Sequence, residues 1–127
     1  MLDVKALLTK IIDSLAKIID SKKWKAFPTT RTGVGTIDIS SIVGMWEELC
    51  VEVFINGGNN REFFYVPRPP LADGVYLYMR QGGFGTSTAG TSCYVVIGVQ
   101  PSIVSLNDAI LFGTNYNSTS IMRVWYR

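Results

Sequence analysis

The chain contains no histidine, which excludes every catalytic triad, metal site and proton relay built on an imidazole. Cysteine is nearly absent too. Cys50 and Cys93 are the two present, each in a strand-like run without CxxC or Cys/His spacing, the pattern of small buried hydrophobes. Spacing alone leaves their pairing open. Charged residues make up only 17% of the chain, with a net charge of +2. That excess is too small and scattered for a nucleic-acid footprint. Lys22, Lys23 and Lys25 lie just past a helical segment, where they complement its carbonyl-end dipole.

Long apolar runs are missing as well. None approaches the ~20 residues needed to span a bilayer, so no membrane insertion is expected. Asp3 and Asp13 contradict a secretory signal, and synthesis in a cytoplasm is the expectation. Carboxylates are few, and the adjacent pair Glu47 and Glu48 points to opposite faces of a strand, unlike the facing acids of a glycosidase. The "GGFG" at 82–85 does not open a helix and lacks the Lys-Ser/Thr of a phosphate-binding loop. It reads as a hairpin loop. Asn117-Ser118-Thr119 matches a glycosylation acceptor, a weak signal without a secretion segment. No catalytic residue, cofactor or metal ligand is expected.

What is abundant is apolar material, 47% of 127 residues, more than one small core requires. Part of it is expected to face another subunit. The opening "MLDVKALLTKIIDSLAKIID" carries the clearest pattern. Met1, Leu8 and Leu15 fall at heptad position a, and Val4, Ile11 and Ile18 at d. Leu7, Ile12 and Ile19 widen the seam, while Thr9, Lys10, Asp13, Ala16, Lys17 and Asp20 form the outer face. Asp13 and Lys17 add an i,i+4 pair. Leu at a with Ile at d disfavours a two-stranded coil and leans to three or four strands. A helix lying on its own sheet would show a similar stripe; the width of this one favours self-association through Val4, Leu8, Ile11, Leu15 and Ile18. Fewer than three heptads are marginal alone, so the following domain is expected to oligomerise with them.

The organisation expected is an oligomerisation helix at 1–21, a linker at 22–35 and an antiparallel β-sandwich or jelly-roll-like domain at 36–127. "SKKWKAFPTTRTGVG" shows no sustained period and carries Pro28, Gly33 and Gly35, as a linker would. Thereafter period two prevails: Ile37 and Ile39, then Leu49, Val51, Val53 and Ile55, then Val75, Leu77 and Met79 alternate with outward residues. "REFFYV", "SCYVVIGV", "AILF" and "SIMRVWYR" read as further strands. Loops 56–60, 81–90 and 113–120 are rich in Gly, Asn and Ser, whereas 67–74 and 100–108 contain proline. If every connection reverses direction, the polar loops share one tip; were "SIVSL" a separate strand, the last would change ends. Binding residues on β-scaffolds concentrate on such loops, making Asn59, Asn60, Phe84, Tyr116 and Asn117 the candidate ligand-binding residues. Trp46, Phe54, Tyr65, Tyr76, Tyr78 and Trp125 lie on strand-like segments. Cross-strand pairing or burial is preferred for them over a carbohydrate platform.

The start "MLDVKALLTKIIDSLAKI", the Trp24-containing linker, the Gly-rich β-domain and the aromatic-basic ending "IMRVWYR" together resemble small bacteriophage and prophage fibre or receptor-binding proteins. The resemblance implies a non-enzymatic virion protein: a homotrimer with a short helical bundle, three β-domains about one axis, and attachment to a host-surface polysaccharide or to other virion proteins. Its alternative is a decoration subunit, such as a head fibre, with no glycan ligand. The family pattern implies no catalytic residues here.

Overall fold

The structure, a computed structural model, describes residues 3–55, 60–67, 76–81 (through the backbone) and 93–127. It opens with helix α1, Val4–Ser21. Asp3 caps the helix, its Oδ1 accepting from the Ala6 N–H at 3.1 Å, as short oxygen-bearing side chains do at helix starts. At the other end the N–H groups of Lys22 and Lys23 donate to the carbonyls of Ile19 and Asp20. No residue of α1 is buried.

Among the described residues ten strands follow: β1 Lys25–Ala26, β2 Arg31–Thr32, β3 Gly35–Asp38, β4 Glu48–Ile55, β5 Asn60–Pro67, β6 Tyr76–Gln81, β7 Tyr94–Val99, β8 Ile103–Leu111, β9 Thr114–Asn115 and β10 Ile121–Tyr126. They form two antiparallel sheets. One runs β1-β10-β4-β5 with β2 also on β10; the other runs β3-β8-β7-β6 with β9 on β8. The mainly β fold with one N-terminal helix is the expected class.

Alternation explains the core. Leu49, Val51, Val53, Ile55, Phe64, Val66, Met122 and Val124 face inward from the first sheet. Ile37, Val95, Ile97, Val99, Val104, Leu106, Ala109 and Leu111 meet them from the second. Inward-facing alternate residues of two sheets make the filling of a sandwich. Trp46 is buried with them, so it is a core residue and no platform.

Two parts of the chain differ from the sequence expectation. Residues 22–35 do not hang free: β1 pairs with Tyr126 and Trp125 of β10, and β2 with Ile121 and Met122. Between them the Phe27 N–H donates to the Val124 carbonyl at 2.8 Å, and the Phe27 ring joins the core. The segment is an edge strand interrupted at Pro28, and sheet edges are where proline is tolerated. From Lys25 onward the segment expected as a linker is therefore part of the sheet. Gly33, at φ +86°, turns the chain from the first sheet to the second, its N–H donating to the Ser120 carbonyl at 2.7 Å; L side chains rarely adopt that backbone conformation.

The second difference is at 100–108, expected as a proline loop. "IVSL" and the "AIL" of "AILF" belong to one strand, with the turn compressed to Gln100–Ser102, where the Gln100 N–H donates to the Ile103 carbonyl. Val96 pairs with Asp108 and Ile97 with Leu106, leaving Asn107 as an extra residue. A bulge of this kind switches which parity faces inward, and that switch broke the alternation. Because the two halves are continuous, 113–120 stays at the end where β10 begins. Ile121 pairs with Phe54 and Ile55 with Asn60, so this end also holds the residues flanking 56–59. The chain enters the sandwich from α1 at the opposite end, where Lys25 pairs with Tyr126.

Candidate functional site

The outer face of the first sheet carries a groove of about 360 Å³ lined by Trp24, Cys50, Glu52, Arg61, Phe63, Tyr65, Arg123 and Trp125. Register builds it in rows across β10, β4 and β5: Trp125–Cys50–Tyr65 nearest α1, then Arg123–Glu52–Phe63, then Ile121–Phe54–Arg61. These are the outward positions of the same strands whose inward positions fill the core. Period two thus makes core and groove from one stretch of sequence.

Glu52 is the unusual residue. Its side chain is 6% exposed although it points away from the core. Burying a carboxylate without a partner is costly. Its Oε1 accepts from Arg61 Nη1 at 2.7 Å, and the Arg61 guanidinium lies over the Phe54 ring at 4.9 Å from the centroid. The arginine is thus held by charge on one side and by a ring face on the other. Arg123 stands across from Glu52 on β10, yet no carboxylate among the described residues forms an ion pair with it.

Trp24 closes the end of the groove nearest the helix. Its ring centroid is 6.1 Å from that of Tyr65 with the planes tilted by 53°, within the usual range of aromatic pairs. The Arg127 guanidinium lies over the Trp24 ring, 4.3 Å from its centroid. Arg127 is itself fixed: Nε and Nη2 both donate to Glu48 Oε2, at 3.0 and 2.9 Å, and its backbone pairs with Glu47 and Glu48. Cys50 stands between Trp125 and Tyr65 in its row, its thiol pushed above its ordinary value chiefly by burial, with a hydrogen bond with Tyr65 opposing the rise and Glu52 and Glu48 adding to it. A thiol in that state is poorly nucleophilic. Cys50 and Cys93 are both free.

The loop residues expected to bind ligand have other surroundings. Asn59 and Phe84 lie outside the described residues, as do the side chains of Tyr76 and Tyr78. Asn60 is half-buried and opens β5 against Ile55. Tyr116 packs partly buried against the core. Asn117 ties the turn together: its Oδ1 accepts from the Ala109 N–H at 2.7 Å, its Nδ2 donates to Asp108 Oδ1 at 2.9 Å, and its carbonyl accepts from the Val34 N–H at 2.7 Å. The structure brings Tyr116 and Asn117 together at the end of the sandwich opposite α1, with Asn60 at the same end.

No family model, curated protein or solved structure matches this chain. Among the described residues, no three Asp, Glu or Cys side chains gather as a metal-binding group, and no helix is long and apolar enough to cross a membrane. What the groove offers chemically is recognition: flat ring faces, a fixed carboxylate and guanidinium donors. Sequence reasoning missed Trp24, Arg61, Glu52 and Arg123 as members of one site. The available signal was the outward parity of β4, β5 and β10, where Cys50, Phe63, Tyr65 and Trp125 stand in place of the usual small polar residues.

Proposed function

We propose that the chain is a non-enzymatic structural subunit of the fibre or attachment type, assembled as a homotrimer through α1. The observation that carries this reading is the state of the helix. Val4, Leu7, Leu8, Ile11, Ile12, Leu15, Ile18 and Ile19 are each between 45% and 67% exposed, whereas the competing reading, a helix covered by its own sheet, requires this stripe to be buried. Monomeric proteins rarely leave so large an apolar surface open. The Leu-at-a, Ile-at-d seam favours three helices over two, and the sandwich beyond it supplies a surface for attachment to a polysaccharide or to other virion proteins.

Linking three sandwiches through one bundle would convert weak single-site binding into avidity without new contacts. That gives the helix a physical role separate from recognition. The test is the solution mass of the full chain by light scattering. A mass near three times 14.1 kDa is expected, and a monomer at every concentration would end the proposal.

A further inference from the structure

We infer that the groove on the outer face of the first sheet is a binding site for an acidic saccharide, a pyranose bearing a carboxylate. This gives the attachment function proposed above a site and a ligand class, and rests on that reading for its multivalency alone. Three observations point to it. The groove, at about 360 Å³, lies within the roughly 300–1,000 Å³ usual for small-ligand pockets. Its walls are rings, Trp24, Tyr65 and Trp125; Arg127 lies over the Trp24 ring, so Tyr65 and Trp125 offer the faces suited to the C–H face of a sugar ring, with Trp24 bounding them at one end. Its floor holds a built polar centre, the Glu52–Arg61 pair, with the Glu52 side chain only 6% exposed.

Charge selects the ligand class. Arg61 is matched by Glu52 and Arg127 by Glu48, and both pairs are internal. Arg123 lines the groove with no ion-pair partner among the described residues. One unmatched guanidinium beside hydrogen-bonding carboxylate oxygens complements a ligand that carries one acidic group amid hydroxyls. Hydroxyls would meet the Glu52 and Arg61 polar atoms, and the ligand carboxylate would meet Arg123.

Two other occupants fit less well. A peptide docking by strand addition needs unpaired backbone donors and acceptors; along the groove floor β4 is paired on both sides, with β10 and β5, so only side chains are on offer. A second copy of the chain would bring a buried ion pair to the centre of an interface, where charged residues are depleted.

The experiment is a titration of the full chain with a galacturonate trisaccharide, its neutral galactose counterpart and a hexaglutamate peptide, by calorimetry and by the fluorescence of Trp24 and Trp125. Saturable binding of the acidic trisaccharide is expected, at least about tenfold tighter than the neutral one, as one charge-assisted contact would give. Arg123→Gln should erase that preference, and Trp24→Ala should weaken both sugars while Trp24→Phe restores most of the loss. Melting temperature and solution mass are measured for each variant, so a folding failure is recognised as such. Equal binding of the two sugars would overturn the acidic assignment. Preferential binding of the peptide, or no binding of either sugar by the folded chain, would overturn the site. Because soluble trisaccharides report on single sites, loss of trimer and loss of binding are read separately.

Discussion

Replacing Ile11 and Leu15 together by glutamine tests the role of α1 most directly. Glutamine is a good helix former, so the change removes apolar surface while leaving local propensity nearly intact. In the single chain Ile11 is 47% and Leu15 52% exposed. Full burial of such a side chain is worth about 1.5–3 kcal/mol. With half of that already realised against the helix's own neighbours, assembly adds about 1 kcal/mol per side chain. Two positions in each of three chains lose about 6 kcal/mol, a fall of about four powers of ten in the association constant. Sedimentation equilibrium at tens of micromolar should find the parent trimeric and the variant monomeric. Helical circular dichroism should fall in parallel, because an 18-residue helix is marginal in water without a partner. A variant that remains trimeric would place the oligomer contact in the sandwich and refute the reasoning.

Further outcomes follow from single positions. Phe112 sits at φ +50° beside Gly113 at φ +75°, a conformation costly for a bulky residue, so Phe112→Asn should stabilise the protein by about 1 kcal/mol in chemical denaturation. Asn117→Ala leaves the Ala109 N–H and Asp108 carboxylate without the partners described above. It should lower stability by about 2 kcal/mol, where a purely ligand-contacting residue would leave the melting temperature unchanged. Cys50 should resist thiol reagents at neutral pH until the protein is unfolded, read by mass spectrometry of labelled peptides. The sign of its pH effect follows from the same burial: the folded thiol holds its proton more tightly than the unfolded one. Its contribution is therefore complete below the unfolded thiol's range and lost as pH rises from there through the raised range of the folded thiol.

Polar contacts of β3 illustrate how local the legible part of a sequence can be. Hydrogen bonds from Ser40, first from its side chain and then from its N–H to Asp38 Oδ1 at 2.8 Å, lower the Asp38 carboxyl from its usual value. An Asp two residues before its partner is a turn device readable from spacing. The heptad seam of α1 and the inward parity of β3, β4, β5 and β7 were readable for the same reason. Each depends on residues a few positions apart, and hydrophobic burial enforces the period.

Bulges, edges and faces were not legible in that way. Asn107 breaks the period of β8 by one residue, and Pro28 disguises an edge strand as a linker, because in both cases a partner strand far along the chain sets the geometry. The groove shows this most clearly. Trp24, Glu52, Arg61 and Arg123 are dispersed over a hundred residues of sequence, and they meet only because β10 pairs with β4 on one side and the entering chain on the other. By itself the sequence determined the helix, its apolar seam and the sandwich class, since periodicity is a short-range property of burial. Tertiary structure alone decided that the seam stays uncovered within one chain, and that outward residues of three strands form one recessed, charged and aromatic surface. Strand register, set by the packing of the whole core, is the physical reason.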